Sequence, residues 1–201
     1  MASELHLFPS LIVYDQVEEL VSKDMQDWAK ELCFEVGKHS YETRCLSTVN
    51  TAADILSQPE MQPLVEPILD CVSAYINRME YDTDNIDYHI QSSWLNYYEP
   101  QWCQEVHTHQ NSVISGTVDI IASDQFDFYI INPHRFLQPV QPGCVKRNDF
   151  NEMDARMKGC QGFIKVFSSG LLHGTRQVDT ERLTLAFNVH ASPKEKGVPV
   201  E

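Results

Sequence analysis

A mainly antiparallel β fold, a sandwich or barrel flanked by helices, is what this sequence predicts, and three observations carry the prediction. The first third has helical periodicity. From Tyr88 onward it gives way to short β-branched and aromatic runs separated by Pro, Gly, Asn or Asp, and several of these runs alternate polar with apolar residues. The chain is 201 residues long, enough to close one core and bury about 70% of the surface its unfolded form exposes. A single domain over 1–201 is expected, with a helical support region at 1–87 and a β core at 88–192.

From Asp15 to Cys33 the apolar residues Val17, Leu20, Val21, Met25, Trp28, Ala29 and Leu32 recur at steps of three and four, the stripe of an amphipathic helix. Asp15 is placed to cap it, with Glu18 three residues on. A second helix is expected from about Glu60 to Met79, burying Met61, Leu64, Val65, Ile68, Leu69, Val72, Tyr75, Ile76 and Met79. Pro63 is tolerated in its first turn, whereas Pro67 bends it. Strands are expected in HIQSSWLNYYE, SVISGTVDIIAS, FDFYIIN, GFIKVFSSG and ERLTLAFNVHAS. The stretch at about 133–159, rich in Pro, Asn and Asp, reads as a long insertion of the kind that serves as a lid or binding loop.

Charge excludes some functions. A formal net charge of -14 is the wrong sign for a surface that displaces counterions from nucleic acid. Lys146, Arg147, Arg156, Lys158 and Lys165 lie near one another in sequence, but a solvated loop of mixed charge reads the same way. The six cysteines form no CxxC pair and no secreted-domain spacing, so free thiols in a reducing cytoplasm are expected. No apolar run approaches the roughly 20 residues that span a bilayer.

The candidate chemistry lies in four residues. On a strand, His107 and His109 share a face about 6.5 Å apart and can converge on one small object. Continued parity puts Asn111, Ser115, Thr117 and Asp119 on that face and Ile114, Val118 and Ile120 on the other. In the last strand Arg182, Thr184, Ala186 and Asn188 share one face, opposite Leu183, Leu185, Phe187 and Val189. The guanidinium fork of Arg182 suits a carboxylate, either a ligand's or that of one of the many acids in the chain. His173 ends an apolar strand just before Gly174. Alone it would read as structural; with the other three residues it points to a metal site.

The runs SWLNYYEPQWCQEVHTHQNSVISGTVDI, DFYIINPHRF and FIKVFSSGLLHGTRQVDTERLTLAFNV resemble a small family of 2-oxoglutarate and Fe(II)-dependent oxygenases of bacteria and phages. The resemblance covers about Ser92 to Val189. It rests on W-x-N before H-x-H, on S-x-x-S-G, and on a histidine followed by R-x-T and A-F-N. It implies a double-stranded β-helix, or jelly roll, hydroxylating a substrate with Fe(II), 2-oxoglutarate and molecular oxygen and releasing succinate and carbon dioxide. It further implies His107 and His173 as iron ligands, Arg182 as the partner of the cosubstrate's far carboxylate, and Thr184 and Asn96 beside it. The wider superfamily has a carboxylate where this chain has His109, so the third ligand is read as His109, with Asp119 and Glu105 as the oxygen alternatives. EPQWCQE also replaces a glycine-containing turn.

Two other functions fit the same residues: a cupin-type dioxygenase with three histidines and no 2-oxoglutarate, and a non-catalytic jelly-roll binding module. The substrate is open, a small molecule or a protein side chain, and the acidic surface favours a neutral or basic one.

Overall fold

Alternation along the last strand decides the architecture. In the computed structural model, which describes residues 9–39, 44–135, 142–148 and 150–194, strand β10 (Arg182–Pro193) lies between β5 (Ile114–Ile121) and β4 (Ile86–Tyr98), antiparallel to both. Leu183, Leu185, Phe187 and Val189 enter the main apolar core. Arg182, Thr184 and Ala186 line a cavity on the opposite face. The same division runs through β4, whose Leu95 and Tyr97 are core while Trp94, Asn96 and Tyr98 face the cavity.

The large sheet is seven-stranded. Its order is β1 (Ile12–Gln16), β8 (Phe163–Ser168), β5, β10, β4, β3 (Leu46–Ser47) and β2 (Lys38–His39). A second sheet of three strands, β7 (Asp154–Lys158), β6 (Phe126–Ile131) and β9 (His173–Thr175), completes the jelly roll. Helices α1 (Lys23–Val36) and α2 (Gln62–Arg78) supply Met25, Ala29, Cys33, Leu64, Ile68, Val72 and Tyr75 to the same core as the apolar face of the large sheet. They cover that face, which leaves the other face of the sheet for the site. Phe128, Ile130 and Phe167 form a smaller apolar cluster between the two sheets.

The five expected strands are present, and the helical region differs in detail. The stretch expected as one helix from Asp15 to Cys33 is a strand, a short 3-10 turn at Glu18–Leu20 and then α1. The residues Ile12-Val13-Tyr14 favour a pleat, and the run pairs with β8 from Ile12↔Phe167 to Gln16↔Phe163. The cap is Ser22, whose Oγ accepts from the Met25 amide at 3.1 Å. Asp15 instead accepts from the adjacent Gln16 amide. In α2, Pro63 sits in the first turn and Pro67 lies inside the helix. Leu69 and Met79, expected to be buried, are exposed. Strand β7 falls inside the stretch at 133–159 expected as an insertion, of which residues 136–141 and 149 lie outside the described residues.

The basic residues grouped by sequence do not form a patch. Lys165 points inward, and Arg147, Arg156 and Lys158 pair with Glu152, Asp154 and Asp124. No described helix is long and apolar enough to cross a membrane.

Gly116 on β5 faces the Phe187 ring: an added Cβ would stand 2.2 Å from Phe187 Cζ and 2.7 Å from the Lys165 carbonyl oxygen. Gly116→Ala is therefore expected to cost about 3 kcal/mol by overpacking and to lower the melting temperature by roughly 6–12 °C in a thermal scan. All six cysteines are free. Burial pushes the thiols of Cys33 and Cys45 up to about 12 and that of Cys71 to about 11. A thiol reagent at pH 8 should label exposed Cys144 first and should reach these three only after denaturant is added.

Candidate metal centre and cosubstrate pocket

The backbone brings the histidines together before their side chains meet. The His107 amide donates to the His173 carbonyl at 2.9 Å, and the His173 amide returns a bond to the His107 carbonyl at 3.1 Å. The His109 amide donates to the Ser169 carbonyl at 3.0 Å. The rings stand 4.4 to 5.1 Å apart, centroid to centroid. Each offers a nitrogen, and the three nitrogens lie within 4.8 Å of one another. His107 and His109 are not on one regular strand: His107 forms an isolated bridge with His173, Asn111 turns the chain in the left-handed region at φ 62°, and β5 begins only at Ile114. The parity resumes at β5, where Thr117 and Asp119 face the cavity.

Each ring is held by an oxygen. His107 Nδ1 donates to the Glu105 carbonyl and His173 Nδ1 to the Leu171 carbonyl, both at 2.8 Å. This leaves Nε2 of each with its lone pair. His109 turns Nε2 toward His173 Nε2 at 3.2 Å and hydrogen-bonds the Asn188 side chain. Asn188 is the end of a chain of hydroxyls: Ser112 donates to Ser169, Ser169 lies 2.8 Å from Ser115, and Ser115 donates to Asn188 Oδ1 at 2.8 Å. The S-x-x-S-G and A-F-N runs thus act on one imidazole.

Electrostatics keeps two of the rings neutral. Burial, then the proximity of His107, pushes His109 down to about 4 and His173 to about 3. Three imidazoles, each oriented through one nitrogen and converging through the other, fit a divalent first-row metal. Among the described residues the group contains no carboxylate. Asp119, an expected alternative, gives its Oδ1 to Lys165 Nζ at 2.6 Å. Glu105 contributes only its main-chain carbonyl.

Arg182, 2% exposed, lies in the same cavity as the histidines, with Thr184 and Asn96 beside it. Thr184 and Asn96 are register partners on β10 and β4. The arginine lies over the Tyr98 ring at 4.5 Å. Its Nη2 donates to the Trp102 carbonyl at 3.0 Å and its Nη1 to Asp127 Oδ2 at 3.2 Å. The EPQWCQE segment that replaces a glycine turn therefore supplies a pocket wall. It is pinned there by Gln104, whose amide donates to Thr175 Oγ1 at 2.8 Å and whose Oε1 accepts from Tyr98 Oη at 2.7 Å.

Asp127, Asn188, Ser169 and Lys165 escaped the sequence reading as site residues. Lys165 carried one signal, a charge in the middle of the apolar run FIKVF.

A jelly roll with helices on one face, and a histidine triad with a buried arginine on the other, defines the non-haem metal oxygenase class. The family described as "Putative 2OG-Fe(II) oxygenase" matches residues 92–188, so over that segment the chain is similar to the 2OG-Fe(II) oxygenase family. Its cofactor is Fe(II), and its cosubstrates are 2-oxoglutarate and molecular oxygen. No curated protein sequence matches the chain. Among solved structures it is similar to a Pseudomonas putida prolyl-4-hydroxylase, with 14% identity, TM-score 0.57, and 88% of this chain and 91% of that one covered. A 2OG-Fe(II) oxygenase family oxidoreductase of Burkholderia pseudomallei shares 12% identity at TM-score 0.55, over 89% and 84% of the two chains. HygX of Streptomyces hygroscopicus, solved with nickel and 2-oxoglutarate, shares 9% at TM-score 0.54, over 90% and 83%. At these identities the likeness is one of fold, the double-stranded β-helix.

Metal-free protein should gain stability on adding Fe(II) without oxygen. At about a hundredfold excess over Kd the melting temperature is expected to rise roughly 5–10 °C. His173→Ala should abolish that rise.

Proposed function

We propose that His107, His109 and His173 hold the iron, and that Arg182, with Thr184 and Asn96 beside it, receives the far carboxylate of 2-oxoglutarate. The observation that carries this reading is the convergence of three oriented imidazoles in one cavity with a buried guanidinium. Bound there, iron and 2-oxoglutarate supply the oxygen activation, coupled to release of succinate and carbon dioxide, that hydroxylates a C–H bond. The chain's own residues orient and exclude. The Glu105 and Leu171 carbonyls and Asn188 fix the imidazoles. Trp94 stacks on His109 at 5.6 Å, and Phe167 and Phe128 stand 4.7 and 5.8 Å from His173, shielding the centre from water.

Imidazoles bring no negative charge, so a metal held by these three residues would retain its full charge and would favour a dianionic chelate such as a 2-oxo acid. The substrate is a small molecule or a protein side chain, and the net charge of -14 favours a neutral or basic one.

Anaerobic Fe(II) protein titrated with 2-oxoglutarate should develop a visible charge-transfer band. In Arg182→Lys, which keeps the charge and loses the fork, half-saturation should move up about tenfold. Bound iron with no band at any concentration would favour the cupin-type reading instead.

A further inference from the structure

The cavity that holds Arg182 also holds Asp127, a carboxylate with no part in the binding scheme above. It is 6% exposed, and its place is built. Oδ2 accepts from Ser123 Oγ at 2.7 Å as well as from Arg182 Nη1 at 3.2 Å. Gly159 clears the room: an added Cβ would stand 3.3 Å from each Asp127 oxygen and 2.9 Å from Ser123 Oγ. The arginine is not saturated by this contact. Among the described residues its Nε is buried with no hydrogen-bond partner, and so is Thr117 Oγ1 on the wall of the same cavity.

The charges in this space have a simple balance. Lys165 and Asp119 cancel as a pair at 2.6 Å, a metal-bound imidazole carries no charge, and Arg182 is offset by Asp127. A divalent metal and a dianionic cosubstrate then leave the filled site neutral. A metal centre with a carboxylate ligand and an unpaired arginine reaches the same sum, with the negative charge at the metal end. Here the histidine group has no carboxylate, and the negative charge sits at the arginine end.

We propose that Asp127 is a specificity-determining residue: its charge, held on Arg182 by Ser123, sets how strongly the pocket discriminates 2-oxoglutarate from a 2-oxo acid with an uncharged tail. It stands in the charge balance for the carboxylate missing from the histidine group. This inference rests on the reading of Arg182 as the partner of the cosubstrate's far carboxylate. A carboxylate arriving at the open Nε side of the guanidinium meets an arginine already half neutralised, and its gain there is smaller than at a bare cation.

The test is anaerobic calorimetric titration of the Fe(II)-loaded protein with 2-oxoglutarate and with 2-oxopentanoate, which has the same chain length and no far carboxylate. Wild type should prefer 2-oxoglutarate. Asp127→Asn keeps the shape and one acceptor for Arg182, and should raise that preference on the order of tenfold by tightening 2-oxoglutarate alone. Ser123→Ala should lower it, because the carboxylate then leans wholly on Arg182. This second variant carries the test if Asp127→Asn does not fold. A preference unchanged or reduced in Asp127→Asn, or unchanged in Ser123→Ala where that variant alone is read, would overturn the proposal and leave Asp127 as a strap between the sheets. Wild type that binds both acids equally, with Arg182→Lys no different, would overturn the reading of Arg182 itself and this inference with it.

Discussion

Four charges stand between the two sheets, and an interior of low polarity tolerates them only as pairs. Lys165 on β8 meets Asp119 on β5, and Arg182 on β10 meets Asp127 on β6. Leaving any one of them without its partner would cost about 3–5 kcal/mol, so the pairs act as registration marks. The first locks neighbouring strands of the large sheet. The second ties the large sheet to the small one at the cavity that holds the histidines. Register and site geometry thus depend on the same contacts.

The site is precise at the metal end for a different reason. His107 and His173 exchange backbone bonds in both directions, so the two residues stay together as long as that bridge holds. Gly174 permits this closeness, since an added Cβ there would lie 3.0 Å from the Gln104 carbonyl oxygen. His109 has no such partner and relies on the serine chain through Asn188. His107 and His173 are fixed by reciprocal main-chain bonds, whereas the His109 ring is oriented by side chains, which makes His109 the position most sensitive to substitutions outside the centre.

Much of this was legible from residue order. The alternation of β10 assigned Arg182 and Thr184 to one face and Leu183 and Leu185 to the other, as found. The three histidines and Asn96 were likewise identified, and all four line the cavity. What escaped is non-local. β1 is completed by its partner β8, whose first residue lies 151 positions after Ile12, and the helix expected from Asp15 overlapped only its last two residues. Asp127 is one of 29 acids, and nothing within a few residues marks it as the one that reaches Arg182. The interruption of the strand between His109 and Ile114 was not foreseen, because a left-handed turn such as that at Asn111 carries no hydrophobic signal. The exposed Leu69 and Met79 fit a helical stripe whose width the sequence overstates.

The position of β10 has a further consequence, for the order in which the molecule is made. This strand is last among the described elements and central in the large sheet, between β5 and β4. During synthesis β4 and β5 leave the ribosome with a gap between them that only β10 can fill. Until it does, two strand edges and one side of the apolar core stay open. Most of the sheet is therefore held together by pairings distant in sequence, the topology of a slow folder that is open to aggregation before closure. Arg182 and Asn188 ride in on this closing strand, so the cavity gains its arginine only once β10 has paired with β5 and β4.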